Sequence, residues 1–125
     1  LMDDVKDTVL ALVQKDPRIQ YLGWKNAKEL REYLCATDVY VQPGAQSATM
    51  QNAMCCGCAL LLYPHESHEK YLDGNGYYVK TQSDISDAIL RIMDDHESLI
   101  RMKEKSLTIA RELLDYHKLA KRILI

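Results

Sequence analysis

Neither sign of charge is in large excess: 16 Lys and Arg stand against 18 Asp and Glu, a formal net charge of −2. That balance argues against a broad basic surface for nucleic acid or another polyanion. Long apolar runs are lacking as well. The longest, Cys58 to Tyr63, falls far short of the ~20 residues a membrane-crossing helix needs. The opening residues Leu1-Met2-Asp3-Asp4 are acidic where a secretory leader is basic, so no signal peptide is read there. Repeats, low-complexity tracts and linkers are missing. Cysteine is too clustered for a disulfide framework, with three of the four in Cys55-Cys56-Gly57-Cys58. No second Cys or His pair stands at zinc-ligand spacing, so no metal is expected. The thiols read as small core hydrophobes in a reducing compartment, which leads to the expectation of a cytoplasmic protein.

What is present is ordinary material for one domain: 125 residues, 47% of them hydrophobic. Val5, Val9, Leu12 and Val13 recur at helical spacing up to Asp16-Pro17. Arg18 to Leu22 alternates and predicts a strand ending at Gly23. Asn26 with Glu29 predicts a capped helix with Leu30, Tyr33 and Leu34 on its apolar face. A second strand, Asp38 to Gln42, closes at Pro43-Gly44, and a helix over Gln46 to Cys56 stops at Gly57. Ala59 to Tyr63 is continuously apolar, as in a strand covered on both faces. Asp73-Gly74-Asn75-Gly76 is a turn before a short strand, Tyr77 to Val79. Ser83 is read as the cap of the next helix. A longer helix with Leu99, Met102, Ile109, Leu113 and Leu114 follows, then a basic turn through Lys118, Lys121 and Arg122.

This alternation predicts an α/β fold, a Rossmann-like parallel sheet flanked by helices. Ligands in such sheets bind beyond the carboxyl ends of the strands, where strand order reverses. Those ends are Gly23-Trp24-Lys25, Pro43 to Ser47 and Pro64-His65-Glu66. After Pro43-Gly44 a helix opens on Gln46, Ser47 and Thr49, whose free amides and helix dipole suit a phosphate. The alternative is a small-residue turn that serves close packing. His65 and His68 among Glu66 and Glu69 read either as a donor contact or as a solvated polar loop. Trp24 reads either as a base-stacking ring or as a packed aromatic. The basic residues Arg101, Lys103, Lys105, Lys118, Lys121 and Arg122 read as a membrane-facing surface or, with Glu97, Glu104 and Glu112 interspersed, as a solvated helix face.

The run Asp38-Val39-Tyr40-Val41-Gln42-Pro43, then Asn52-Ala53-Met54-Cys55-Cys56-Gly57-Cys58-Ala59-Leu60-Leu61, resembles family 4 of the retaining glycosyltransferases. There a strand of the type A-D-V-x-V-x-P precedes a helix carrying E-A-M-A-x-G-x-P-V-V. Ile19 to Trp24, with Glu29-Leu30 and Tyr33-Leu34, and then His68 to Val79 and the closing helices, are similar to that family in the same order. The resemblance implies an incomplete nucleotide-sugar-binding domain over 1–125, part of the C-terminal domain of a GT-B fold. It implies a hexosyltransferase-type enzyme moving a sugar from a nucleotide-sugar to a glycan or lipid-linked acceptor, in surface polysaccharide synthesis, with no further cofactor. Gly23, Trp24 and Lys25 would face the base. Gly44, Ala45, Gln46, Ser47, Ala48 and Thr49, with His65, would receive donor phosphate and sugar, and Asn52 would meet the ribose.

Two departures stand against this likeness. The family has a pair of glutamates here, and Asn52 takes the second place, while Gly44 or Ser47 takes the first according to alignment. No Asp or Glu occurs between Asp38 and Glu66. The family's upstream strands, its phosphate-gripping Arg and Lys and its acceptor-binding domain have no counterpart in these residues, so the chain alone is expected to be inactive and its partner to be an N-terminal domain of the same protein. The alternative expectation is a catalytically degenerate, glycosyltransferase-like binding or scaffold module. Either form is expected in the cytoplasm, with peripheral contact to the inner membrane face open.

Overall fold

A computed structural model describes residues 3–124. They form two compact units, one reaching to Leu30 and the other running from Arg31.

The first unit opens with helix α1, Asp3–Lys15, none of whose side chains is fully buried. Pro17 has no amide to continue the ladder. Asp16 instead accepts the Arg18 amide at 3.0 Å and the Arg18 guanidinium at 2.7 Å. Those bonds, the guanidinium's first, hold the Asp16 carboxyl below its ordinary range. The expected strand over Arg18 to Leu22 is not formed: residues 19–26 carry no regular structure. Alternation is a local signal, whereas a strand exists only when a neighbour takes up its amides and carbonyls, and no ladder among the described residues includes this segment. Asn26 does cap helix α2, Ala27–Cys35, through its side-chain oxygen and the Glu29 amide at 2.9 Å.

The second unit carries the sheet. Strands β1, Val39–Gln42, β2, Ala59–Leu62, and β3, Gly76–Tyr78, lie parallel in the order β1-β2-β3. Val39 pairs with Ala59, and Leu60 with Gly76. Each strand falls within a residue of its expected span. Helix α3, Ala48–Cys55, joins β1 to β2 and ends in a Schellman turn. The Cys58 amide bonds to Ala53 O and the Gly57 amide to Met54 O, both at 3.0 Å, with Gly57 at φ +78.

The central strand is fully buried along its length. Ala59 and Leu61 pack with Val79, Ala88, Ile92, Leu99 and Met102, while Leu60 and Leu62 alternate to the opposite, equally buried face. Helices α4, Gln82–Asp94, and α5, His96–Leu113, supply most of that first cluster. The cap of α4 is Thr81 rather than Ser83: Thr81 accepts the Asp84 amide and Asp84 accepts the Thr81 amide, a reciprocal box that Ser83 has no acidic partner to match. The C-terminal helix breaks at Leu114, and Asp115 caps a separate helix α6, Tyr116–Ile123.

A buried polar strut crosses this unit. Ser106 on α5 donates to Cys58 O at 2.6 Å and accepts from the Asn75 side chain at 3.2 Å. Asn75 also donates to Tyr71 O at 2.9 Å and accepts the Asp73 amide at 2.8 Å, so the turn before β3 is held from inside.

Candidate functional site at the strand ends

β1 and β2 are parallel neighbours in register, so the segments leaving Gln42 and Leu62 emerge side by side. Gln42, the polar last residue of an otherwise apolar strand, organises the first. Its side chain donates to Ala45 O at 3.1 Å and accepts from the hydroxyls of Tyr40, at 2.6 Å, and Ser47, at 3.2 Å. Ser47 then caps α3 by accepting the Met50 amide at 3.1 Å. Among the described residues no acceptor takes up the amides of Ala48 or Thr49. They add to the positive end of the α3 dipole.

The second segment, after Tyr63, turns through a short 3-10 helix, Glu66–His68. Its cap is His65, whose Nδ1 accepts the Ser67 amide at 3.1 Å and lies 2.8 Å from the Ser67 hydroxyl. The Gln46 amide donates to that same hydroxyl oxygen at 3.1 Å. The chain of bonds Gln46 N–H to Ser67 Oγ, then Ser67 O–H to His65 Nδ1, ties the two loops together. It requires His65 to accept at Nδ1 and leaves its other ring nitrogen for the outside. Gln46, Glu66, Ser67, Glu69 and Lys70 border an open hollow of about 400 Å³, within the range of ordinary ligand pockets, roughly 300–1,000 Å³. Lys70 brings a cation to its rim, with Nζ 5.1 Å from the centre of the Tyr71 ring. His68 differs from His65: it is fully buried, its Nδ1 bonds to Tyr63 O at 2.7 Å, and its Nε2 has no partner among the described residues.

The expected site residues divide accordingly. Gly44, Ala45, Gln46, Ser47, Ala48, Thr49 and His65 all lie on the two tied segments. Asn52 lies on the exposed side of α3, on the same face as Ala48, while Met50, Ala53 and Met54 fill the buried side. Gly23, Trp24 and Lys25 belong to the other unit. There Gly23 has φ +65, a left-handed conformation that favours glycine, and Trp24 is 98% exposed, so it packs in no core formed by the described residues. Lys25 lies 3.9 Å from the Glu29 carboxylate. Gln42, Ser67 and Lys70 were not expected from the sequence. A glutamine ending an apolar strand and a serine two residues after a capping histidine were the available signals. The described strands run 1-2-3 with no reversal of order, so strand ends rather than a switch point locate this hollow. No group of three or more His, Cys, Asp or Glu among the described residues is arranged to hold a metal ion.

Several of the surface cations have structural partners. Lys103 pairs with Asp38 at 2.7 Å and Lys105 with Asp73 at 3.8 Å. No described helix is long and apolar enough to cross a membrane.

An open parallel sheet with flanking helices, and a capped helix start bonded to the neighbouring strand-end loop, define a Rossmann-like α/β domain. Residues 3–95 match the model of the family described as Glycosyl transferases group 1, and the chain belongs to that family. It is a glycosyltransferase domain, of the class of enzymes that carry a sugar from a donor to an acceptor. Among curated proteins and among solved structures, nothing matches the chain.

Proposed function

We propose that the chain is the donor-binding part of a retaining, family 4 type glycosyltransferase of GT-B fold. It serves transfer of a hexose from a nucleotide-sugar to a glycan or lipid-linked acceptor in surface polysaccharide synthesis on the cytoplasmic side. The bond from the Gln46 amide to the Ser67 hydroxyl carries this reading, because it joins the α3 start to the loop bearing His65 and Lys70. Donor phosphate and sugar would lie over Gly44 to Thr49 beside His65, and the ribose at Asn52.

In such a transfer the leaving diphosphate gains negative charge as the sugar departs. Preorganised amides, the helix dipole and Lys70 are suited to stabilise that charge without a protein nucleophile. Asn52 both donates and accepts hydrogen bonds, so it can hold a ribose hydroxyl pair, though as a neutral group each bond is about half as strong as a carboxylate's. Calorimetry of the intact protein against a panel of nucleoside diphosphates tests the assignment. Saturable binding, weakened several-fold by Asn52→Leu, is expected; a flat response across the panel overturns it.

Helix α6 supports the membrane contact within this proposal. Tyr116 and Ile123 are exposed alongside Lys118, Lys121 and Arg122, a pairing of apolar and basic groups suited to an anionic lipid surface.

A further inference from the structure

The register that places the strand ends side by side does the same for the helix ends at the opposite edge of the sheet. Val39 pairs with Ala59, and Cys35 and Cys56 stand a similar short distance upstream of those residues. Cys35 is the last residue of α2 and Cys56 is the C-cap of α3. Their sulfurs lie 3.3 Å apart. A disulfide spans ~2.05 Å, so closing it needs the two sulfurs to approach by little more than ~1 Å.

The other two thiols are differently placed. Cys58 is buried and donates to Leu34 O at 3.3 Å. Cys55 is exposed on another side of the helix end, where it borders a hollow with Leu107, Arg111, Tyr116 and His117. Cys35 is exposed and Cys56 half-buried, so an oxidant reaches one thiol directly while the second waits within bonding range.

We propose that Cys35 and Cys56 form a reversible dithiol–disulfide site, oxidised by a small disulfide of the glutathione class. The Cys35 thiolate attacks one sulfur of oxidised glutathione. The glutathione S–S bond breaks, a mixed disulfide forms on Cys35, and one glutathione leaves and takes up a proton. Cys56 then loses its proton and attacks the Cys35 sulfur, forming the Cys35–Cys56 bond and expelling the second glutathione, which is protonated in turn. Two protein thiols lose two electrons and glutathione disulfide gains them.

The order follows from the surroundings. Burial, and then the hydrogen bond and charge of Cys35, push the Cys56 thiol up to about 12, which suits it to the second, intramolecular step rather than the first. The loop so closed contains β1, the Pro43 to Ser47 turn and α3. Oxidation therefore clamps the segment that carries the candidate donor cradle, at the end away from it.

The test is a disulfide map of the intact protein after exposure to oxidised glutathione, alkylation of remaining thiols and cleavage before aspartate. Cleavage at Asp38 separates Cys35 from the Cys55 to Cys58 run. The expected product is a peptide pair linked between Cys35 and Cys56, with two of the four cysteines alkylated and the link reversed by dithiothreitol. The link should persist in Cys55→Ser and vanish in Cys56→Ser. Fragmentation of the linked wild-type peptides assigns the partner directly, should either variant fold poorly. Accumulation of singly glutathionylated Cys35 without closure, or a link to Cys55 or Cys58, overturns the proposal. None of these readouts depends on sugar transfer.

Discussion

Gly76 pairs with Leu60 of the buried central strand and has no room for a side chain. A methyl group at its Cα would fall 1.7 Å from Leu60 O, a backbone atom that cannot swing aside. Gly76→Ala must push β3 away from β2 and break the Leu60 to Gly76 register. Overpacking of this kind costs about 1–3 kcal/mol, and collision with backbone places the change at the upper end. Urea unfolding followed by far-UV circular dichroism should show the midpoint falling accordingly; an unchanged midpoint would show that β3 is not held at this spacing. Ser67 carries the other residue-scale prediction. Ser67→Ala removes the acceptor for the Gln46 amide and the donor to His65. One net hydrogen bond is worth about 0.5–1.5 kcal/mol, so nucleoside diphosphate binding should weaken roughly three- to tenfold by calorimetry. The thermal midpoint should move little, because both partners are exposed and water can replace the bond. A large loss of stability with unchanged binding would make the bond structural only.

At the scale of elements, caps decide boundaries. The Asp84 carboxylate accepts the amides of Lys80 and Thr81, each at 2.9 Å, and these bonds hold its pKa below the ordinary 3.8. A carboxyl whose folded value lies below its unfolded one adds stability that is complete above the unfolded value and is lost as pH falls through the folded value. The cap of α4 should therefore weaken from about pH 4 downward. Asp84→Asn should lower stability at neutral pH and flatten this part of the acid limb, read from urea midpoints across a pH series. Parallel acid limbs for the two proteins would remove Asp84 from that account. The same chemistry explains the element boundaries that were legible beforehand. Asn26 with Glu29, the strand-breaking Pro43-Gly44 and the helix-stopping Gly57 act within a few residues of themselves, and all three mark ends of elements in the structure. The choice of Thr81 over Ser83 was equally local, since only Thr81 has an acidic residue at the reciprocal position.

Across the whole molecule, burial is uneven. Leu60, Leu61 and Leu62 are fully buried in a strand paired on both sides, whereas α1 buries no side chain. Opening β2 exposes the core of the second unit, while fraying α1 exposes little that was covered. Amide exchange followed by mass spectrometry should find Leu60 to Leu62 slowest and α1 orders of magnitude faster. Comparable protection in both would mean that α1 is held by more than its own backbone ladder.

The sequence by itself determined the α/β class, three strand positions to within a residue, and the order of motifs that points to glycosyltransferases. The class and the strand positions depend on side-chain period and on residues whose backbone preferences act over a single turn, whereas the motif order points to a family only by resemblance. Pairing was beyond its reach. Arg18 to Leu22 alternates like a strand yet joins no ladder, because a strand needs a partner that alternation cannot supply. Only the tertiary structure decided that Gln46 would meet Ser67, Asn75 would meet Ser106, and Cys35 would meet Cys56. Each pair joins residues far apart in the chain, brought together by the parallel register of β1 and β2 or the docking of α5, and a local pattern carries no information about which distant segment will arrive beside it.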